Sequence, residues 1–324
     1  MGHYYNTVRS LGRWCCLYAL WLLLLVTASA QRQQRFHRQL PAGNYSGIAA
    51  LGHDRYAVVS DKSAEDGFFV FRLVVDSAGQ RITEAENLGF RSSGLPNRDM
   101  EAICYRPSTN TIFIAGEQDN EVYEYQLDGQ RTGRRLLMPD IFKQAGGNLG
   151  LESLTYDEHR HLFITTTERP LKGDSLLRFQ TFDDQLQPRQ QYLYRPDAPI
   201  SRKYYHGVSE LCALGDGRLL VLERQIRVPQ LKIGAKAVVR IYATTPYDSP
   251  TTLPLRKTLV AEFTTRLTLT GRRFANYEAL CLVRPGLLLL MADSQNQFKG
   301  VLRDWLQLCP ILLEGRGERG EVRM

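Results

Sequence analysis

Short apolar segments separated by polar turns recur along the chain, and five of them share one pattern. Each copy opens with Ser or Glu, has an apolar residue two positions later, passes through a polar or Gly/Pro turn, continues as an apolar run and closes with Asp or Glu. The copies are SGIAALGHDRYAVVSD (46–61), EAICYRPSTNTIFIAGE (101–117), ESLTYDEHRHLFITTTE (152–168), SELCALGDGRLLVLE (209–223) and EALCLVRPGLLLLMAD (278–293). Runs this short, rich in Val, Ile, Phe and Tyr, predict β-hairpins rather than helices.

Further strand-like segments follow each hairpin, so each repeat predicts about four strands in roughly 50 to 70 residues. The last repeat has only 298–308 after its hairpin, and residues 35–41, which precede the first hairpin, are expected to supply its missing strand. A last sheet completed by an N-terminal strand is the way in which a β-propeller closes its ring and protects its edges. The predicted fold class is therefore all-β, a five-bladed propeller over residues 31–309. A sixth blade within the long fourth interval is the alternative.

The residues that open and close the hairpins are expected to meet at one end of a central channel. The midpoint of every bracketing pair falls in the turn, and residues equidistant from an antiparallel turn face each other. Because the first strand of each blade lines the channel, the opening residues predict an inner ring: Ser46, Glu101, Glu152, Ser209 and Glu278. The closing residues predict a second set beside that ring: Asp61, Glu117, Glu168, Glu223 and Asp293.

Eight carboxylates crowded together with two hydroxyls need a counter-charge, because like charges raise one another's pKa values. Calcium accepts about six to eight oxygen ligands in tolerant geometry, so the inner ring predicts a calcium site completed by water. Zinc is disfavoured because no His or Cys cluster accompanies the acids. Magnesium usually keeps more of its water and is the less suitable cation. The alternative is that each acid caps its own hairpin or pairs with a neighbouring Arg.

The N-terminal segment has the three-part pattern of a signal peptide. Arg9 and Arg13 precede the apolar run LYALWLLLLV, and an A-x-A cleavage pattern follows at 28–30. Residues 1–30 are therefore predicted to direct export, periplasmic or secreted, and to be cleaved; an uncleaved anchor helix is the alternative. No second hydrophobic span follows. Residues 310–324 are polar and rich in Gly and are expected to form a poorly ordered tail.

Charge and cysteine content change this picture little. The net charge of +7 comes without a dense Lys/Arg run interleaved with aromatic residues, which argues against nucleic-acid binding. Cys104, Cys212 and Cys281 occupy the same position of the repeat, where a small buried residue is expected. An oxidising compartment also permits a Cys212–Cys281 disulfide. The sequence leaves the oligomeric state open.

The motifs SGIA, EAI, NYEAL and ADSQNQFKG, taken in order, resemble those of the bacterial exported phytase-like family, named for an esterase-like activity of phytase. This resemblance spans residues 40–308. The order Ser, Glu, Glu, Ser, Glu also resembles the calcium-activated nucleotidases (apyrases), five-bladed propellers with calcium on the axis. The second resemblance implies that the five inner-ring residues are calcium ligands. The loops between the motifs differ, so it does not imply nucleotide specificity.

The first functional hypothesis is a calcium-dependent hydrolase that acts on phosphoric esters or anhydrides of a small anionic substrate. The ion would polarise a phosphoryl oxygen, and the five closing acids are the candidate catalytic acids or bases. Basic residues near the same rim are candidates for phosphate binding: Lys62, Arg98, Arg169, Arg224 and Lys299. The absence of a G-x-S-x-G motif argues against a serine esterase.

The second hypothesis is a non-enzymatic binding module in which calcium only ties the blades together, since fold does not determine function. An open cleft with cationic side chains facing it would favour the hydrolase. An ion sealed by side chains would favour the module.

Overall fold

Five four-stranded antiparallel sheets surround a central channel in a computed structural model that describes residues 32–145, 150–295 and 300–312. This arrangement is a β-propeller, which confirms the predicted fold class and a count of five blades rather than six. The described chain contains almost no helix. Two short 3-10 helices span Asp140–Gln144 and Pro246–Asp248.

The strands follow the repeat in chain order, after an N-terminal strand β1 (Gln33–Gln34). Blade one contains β2 (Tyr45–Gly52), β3 (Arg55–Ser60), β4 (Glu65–Val75) and β5 (Ile82–Pro96). Blade two contains β6 (Met100–Arg106), β7 (Thr111–Gly116), β8 (Glu121–Gln126) and β9 (Arg131–Arg135). Blade three contains β10 (Leu151–Asp157), β11 (Leu162–Thr167), β12 (Leu177–Phe182) and β13 (Pro188–Tyr194).

The last two blades complete the ring. Blade four contains β14 (Tyr205–Ala213), β15 (Leu219–Arg227), β16 (Lys236–Thr244) and β17 (Lys257–Arg266). Blade five contains β18 (Asn276–Arg284), β19 (Leu287–Asp293) and β20 (Leu306–Pro310), with β1 as its fourth strand.

The N-terminal strand closes the propeller, as predicted, but it is not the predicted segment. The pairing of β1 with β20 uses residues that precede 35–41, and β20 covers only the end of 298–308 and continues beyond it. Residues 35–41 cannot continue the ladder because the backbone N–H groups of Gln39 and Leu40 bond back to the carbonyl of Phe36 and form a turn.

The hydrophobic core lies between neighbouring blades. The apolar residue two positions after each opening residue is buried in every copy: Ile48, Ile103, Leu154, Leu211 and Leu280. Aromatic rings join the blades, as between Phe113 of blade two and Phe163 of blade three, whose centroids are 4.4 Å apart. Such pairs contribute about 0.5–1.5 kcal/mol beyond the burial of their area. This packing fixes where each first strand begins at the channel.

A β-bulge interrupts the first strand of every blade at its opening residue. In β6, Met100 pairs with Gly116 and Ala102 pairs with Ala115, so Glu101 has no opposite residue. The same irregularity falls at Ser46, Glu152, Ser209 and Glu278. The prediction that opening and closing residues face each other directly is therefore wrong: in blade five, for example, Asp293 lies opposite Asn276, two positions before Glu278. A bulge bends the strand and redirects the extra side chain.

The described residues include no helix that is both long and apolar enough to span a bilayer. The four cysteines in the described ranges, Cys104, Cys212, Cys281 and Cys309, are free and buried. The predicted signal peptide (1–30) lies outside the described residues, as does the predicted tail beyond residue 312.

Candidate functional site

A pocket of about 820 Å³ opens at the end of the channel where the first strands begin. From the inner ring, Glu101, Glu152 and Glu278 line it. From the closing set, Asp61, Glu117, Glu168 and Asp293 line it. Lys62, Lys203 and Arg224 are the basic residues of the described lining. The structure thus brings together most of the predicted acids around one acidic pocket, and the bulge of each first strand provides the inner ones.

Blade four differs from the other blades at its closing position. In blade two, the backbone N–H of Glu117 donates to the carbonyl of Asp99, two residues before the bulge (2.8 Å). In blade four, the residue paired in this way is Arg224, opposite Gly207. Glu223 is therefore one residue early in register, and because strand side chains alternate between faces, it points away from the pocket. The closing position of blade four is basic rather than acidic.

The carboxylate of Glu223 forms its contacts on the face of β15 that points away from the pocket. The hydroxyl of Tyr194 donates to its carboxylate (2.6 Å), the ammonium of Lys257 lies 2.6 Å away, and the backbone N–H of Asp197 donates to its second oxygen (2.8 Å). Glu223 is absent from the described pocket lining. These contacts give it a structural environment within blade four.

Arg224 lies among three of the pocket acids. Its Nη2 is 2.7 Å from Glu278, 3.2 Å from Glu152 and 3.3 Å from Glu168, and its Nη1 donates to Asn276 Oδ1 (2.8 Å). Burial lowers the pKa of this guanidinium, but the three carboxylates outweigh burial and raise it. Arg224 is therefore a fixed positive charge on one side of the pocket.

Two glycines leave space for acids of the preceding blades. A Cβ on Gly207 would lie 2.4 Å from Glu168 Cγ, and a Cβ on Gly150 would lie 2.7 Å from Glu117 Cγ. Two carbon atoms that are not bonded do not normally approach this closely, so a side chain at position 150 or 207 would collide with the acid. Glycine at these two positions therefore leaves room for Glu117 and Glu168 to extend over the next blade. The backbone N–H of Gly150 also donates to Glu117 Oε1 (3.0 Å).

The carboxylates of the pocket are buried close to one another, and their negative charges repel. Burial raises the pKa of Glu101 well above its ordinary value, and the neighbouring charges of Glu278 and Asp61 raise it further. Burial likewise raises the pKa of Glu152 and of Asp293, again with nearby carboxylates adding to the shift. The pocket therefore holds more negative charge than its own basic groups neutralise, and binding of a cation would relieve the repulsion.

Two predicted ligands of the inner ring lack partners. Glu101 is only 8% exposed and makes no hydrogen bond or ion pair with another described residue. Ser209 Oγ is buried and has no hydrogen-bond partner in the described ranges. Ser46 is buried at its own bulge. Oxygen donors without competing contacts fit a hard cation such as calcium.

The predicted phosphate-binding residues fall in different environments. Lys62 and Arg224 line the pocket. Arg98 does not, because its buried guanidinium is 2.7 Å from Asp119 and donates to a backbone carbonyl of β7. Arg169 is not in the described lining either; its guanidinium stacks 4.0 Å from the ring centroid of Tyr205, and its Nε donates to the carbonyl of His206 (3.0 Å). Lys299 lies outside the described residues.

The sequence repeat contained a signal for one group of residues that the prediction missed. Two positions before each opening residue stand Asn44, Asp99, Gly150, Gly207 and Asn276. Asn44 lines the pocket, Asp99 lies within 4.8 Å of Asp61 and Glu101, and the amide of Asn276 donates to Glu278 (2.8 Å). Lys203 and Tyr205 had no such signal. They line the pocket because the first hairpin of blade four extends beyond its bulge, with Tyr205 opposite Ile226.

Comparison with known proteins bears on the fold and the family. A search of curated proteins gave no match. Similar solved structures include an endo-arabinase from Bacteroides thetaiotaomicron, with 12% identity over 85% of this chain and 95% of that chain and a TM-score of 0.49. Others are the PQQ-bound aldose sugar dehydrogenase of Streptomyces coelicolor (10% identity, 87% and 98%, TM-score 0.44) and streptogramin B lyase (10%, 86% and 97%, TM-score 0.42). These likenesses are too distant to bear on activity.

The family comparison agrees with the motifs. The family model described as phytase-like, esterase-like activity of phytase, matches residues 40–295. That range contains all five hairpins and every described acid of the pocket. The chain therefore belongs to the phytase-like family.

Proposed function

We propose that the protein is a calcium-dependent hydrolase of phosphoric esters whose active site is the acidic pocket at the channel mouth. The observation that carries the proposal is an open pocket of about 820 Å³ in which seven acids and three basic side chains meet. A pocket of this size can enclose a small organic substrate. Its openness favours the hydrolase over a module with a sealed ion. Membership of the phytase-like family supports a phosphate-ester substrate.

Calcium fits the oxygen donors of the pocket. Glu101, which has no partner among the described residues, would be one of its ligands, whereas Glu152 and Glu278 already share Arg224. When bound, the ion would polarise a phosphoryl oxygen and offset the repulsion between phosphate and the acids.

The remaining groups of the pocket divide between binding and orientation. The ammonium of Lys62 is half-exposed and that of Lys203 faces the pocket, so both can contact phosphate oxygens. Arg224 is buried beneath three carboxylates and orients them instead. Tyr205 and Ile226 form a less polar wall for the organic part of the ester.

Glu117 is the best-placed general base of the closing set. One of its oxygens is fixed by the N–H of Gly150, and the side chain lines the pocket without an ion pair among the described residues. Burial raises its pKa, which brings its proton affinity nearer to that of a base working around neutral pH. Glu168, by contrast, is held by the hydroxyl of Tyr205 and by Arg224. Glu117 would accept the proton of the attacking water as the P–O ester bond breaks, and the leaving oxygen would take a proton from solvent.

The test measures phosphate release from p-nitrophenyl phosphate and inositol hexakisphosphate, with calcium and with chelator. We expect calcium-dependent release and a loss of at least about 100-fold in kcat for Glu117→Gln. The matched control is Glu121→Gln, which alters an acid of the same blade that pairs with Arg135 outside the pocket lining; it should keep activity within about twofold.

Two results would overturn the proposed activity, and a third would change only the assignment of the base. Calcium binding without phosphate release from either ester would favour the binding module. Hydrolysis of p-nitrophenyl acetate alone would identify a carboxylic esterase. Equal loss of activity in Glu117→Gln and Glu121→Gln would remove Glu117 from the role of base.

A further inference from the structure

Three carboxylates converge between blades one and two: Asp61 and Glu101, which line the pocket, and Asp99 beside them. Oxygen atoms of Asp61, Asp99 and Glu101 all lie within 4.8 Å of one another. Calcium binds oxygen at about 2.4 Å, so two ligands on opposite sides of one ion are about 4.8 Å apart. The three carboxylates can therefore contact a single calcium ion. Magnesium, with bonds of about 2.0–2.1 Å, would need a tighter set.

The local sequence of blade two produces this cluster. Asp99 and Glu101 flank the buried Met100 at the start of β6, and a carboxylate oxygen of each lies within 4.8 Å of the other. At the position of Asp99, the other blades carry Asn or Gly. Asp61 is the residue that follows β3 of the neighbouring blade. Among the described blades, only blade two therefore supplies acids at both positions.

An unpaired buried carboxylate indicates a ligand for this cluster. Glu101 is 8% exposed and has no partner among the described residues, yet it points into the cluster. Leaving a buried charge without a partner is costly, so such groups normally pair with a cation or coordinate a metal. Coordination of calcium would satisfy Glu101 together with its two neighbours.

The axis of the channel is less suitable for the same ion. The guanidinium of Arg224 contacts Glu152 and Glu278, the two other acids of the inner ring. A calcium ion held by these acids would lie next to a fixed positive charge, and like charges repel strongly in a buried site. Among the described residues Arg224 forms its ion pairs with Glu152, Glu168 and Glu278 and none with Asp61, Asp99 or Glu101, so an ion on these three carboxylates lacks that adjacent charge.

We propose that calcium binds off the propeller axis, on Asp61, Asp99 and Glu101, rather than at the centre of the inner ring. The inference refines the calcium site of the proposed function and rests on it for the role of the ion in hydrolysis. Lys62 occupies part of this site, with its ammonium 2.6 Å from Asp99 and 3.1 Å from Asp61. Because Lys62 is half-exposed, calcium can displace its ammonium toward the phosphate of a substrate.

The test is calcium titration by calorimetry, with calcium-dependent melting as a second readout, on chelator-treated full-length protein and three variants. Asp99→Asn removes one charge but keeps the side-chain shape, and Asn tolerates the positive φ of 58° at this position. We expect it to weaken calcium binding by at least about tenfold. Glu152→Gln removes an axial acid of the same pocket and should change the affinity by less than about threefold.

Lys62→Met should change the calcium affinity in the opposite direction to Asp99→Asn. Without a competing ammonium, calcium affinity should rise about fivefold, the equivalent of losing two exposed ion pairs. The melting temperatures of all variants in chelator establish that they fold. An effect of Glu152→Gln larger than that of Asp99→Asn would move the site to the axis and overturn the proposal. Absence of calcium binding to the unaltered protein at millimolar concentration would also overturn it.

The outcomes separate this inference from the proposed function. Phosphate-ester hydrolysis with full calcium affinity in Asp99→Asn would reject the off-axis site and leave the hydrolase intact. Loss of calcium binding in Asp99→Asn, combined with no hydrolysis by the unaltered protein, would support the off-axis site and reject the hydrolase.

Discussion

The acidic pocket has two sides that come from the same repeat and differ in electrostatic character. The arginine side consists of Glu152, Glu168 and Glu278 around Arg224. The open side consists of Asp61, Asp99 and Glu101 beside Lys62. On the arginine side a buried guanidinium contacts every carboxylate. On the open side the half-exposed ammonium of Lys62 contacts Asp61 and Asp99, and Glu101 has no partner among the described residues.

A single residue accounts for much of the difference. Four blades place an acid at the closing position, and blade four places Arg224 there. A symmetric ring of acids would repel itself on all sides, whereas this chain neutralises one side internally. The other side keeps its negative charge, and that is the condition under which a mobile cation binds. The asymmetry therefore assigns a structural role to one side and a binding role to the other.

The largest effect on stability should follow from removing the positive charge of Arg224. Arg224→Met leaves three buried carboxylates without their counter-charge, and breaking buried pairs in this way costs about 3–5 kcal/mol. The loss should be smaller at pH 5 than at pH 7, because burial raises the pKa of Glu152 and of Glu278 and favours their neutral forms in acid. Chemical denaturation at the two pH values measures this difference.

Arg224→Lys is the matched control, since it keeps the charge and loses only the fork of donors. It should retain part of the stability that Arg224→Met loses. A cost below about 1 kcal/mol for Arg224→Met at pH 7 would show that the three acids are neutral without it, and the contrast between the two sides would disappear.

On the open side, removing the charge of Glu101 should stabilise the protein when calcium is absent. In chelator, Glu101→Gln removes a buried charge that lacks a partner, and we expect a gain of about 1–3 kcal/mol at pH 7. The pKa of Glu101 is raised in the folded state, so the unfolded state releases its proton first as pH rises above 4.5, and stability falls. Glutamine has no such proton, so the gain should vanish in acid.

Denaturation with chelator from acid to neutral pH checks this expectation. In the same series with calcium, the difference in stability between the two proteins should change in the opposite direction. Calcium should stabilise the unaltered protein and have less effect on Glu101→Gln, because the variant has lost a ligand. If Glu101→Gln were instead destabilising in chelator at pH 7, Glu101 would have a stabilising partner. The contrast between the two sides of the pocket would then be lost.

The fold was predictable because its signal is repeated. Five copies of one hairpin define five blades, and the unmatched last repeat predicts closure by an N-terminal strand. The identity of that strand was wrong, because β1 has only two residues and no hydrophobic alternation to identify it. Strand pairing this short depends on its tertiary partner, β20, rather than on its own sequence.

The site was predictable as a set of acids but not as an arrangement. The bulge at each opening residue gives no sequence signal, since Ser46 and Glu101 look like ordinary strand residues. One unrecognised residue of register reverses which side chain faces the pocket. The error at Glu223 has a second cause, because the bulge occurs in every blade. Glu223 stands 14 positions after Ser209, whereas Asp61 and Asp293 stand 15 positions after their opening residues, which is the spacing of Arg224.

The smallest effect on the pocket should come from Glu223. Glu223→Gln weakens its contacts with Lys257 and Tyr194 and should lower stability by about 1–2 kcal/mol. Calcium affinity should change by less than about twofold, because the carboxylate lies on the opposite face of β15 from Arg224. Denaturation and calcium titration on one preparation separate the two effects. A tenfold loss of calcium affinity would mean that Glu223 reaches the pocket, and the register difference between blade four and its neighbours could not then explain why the two sides differ.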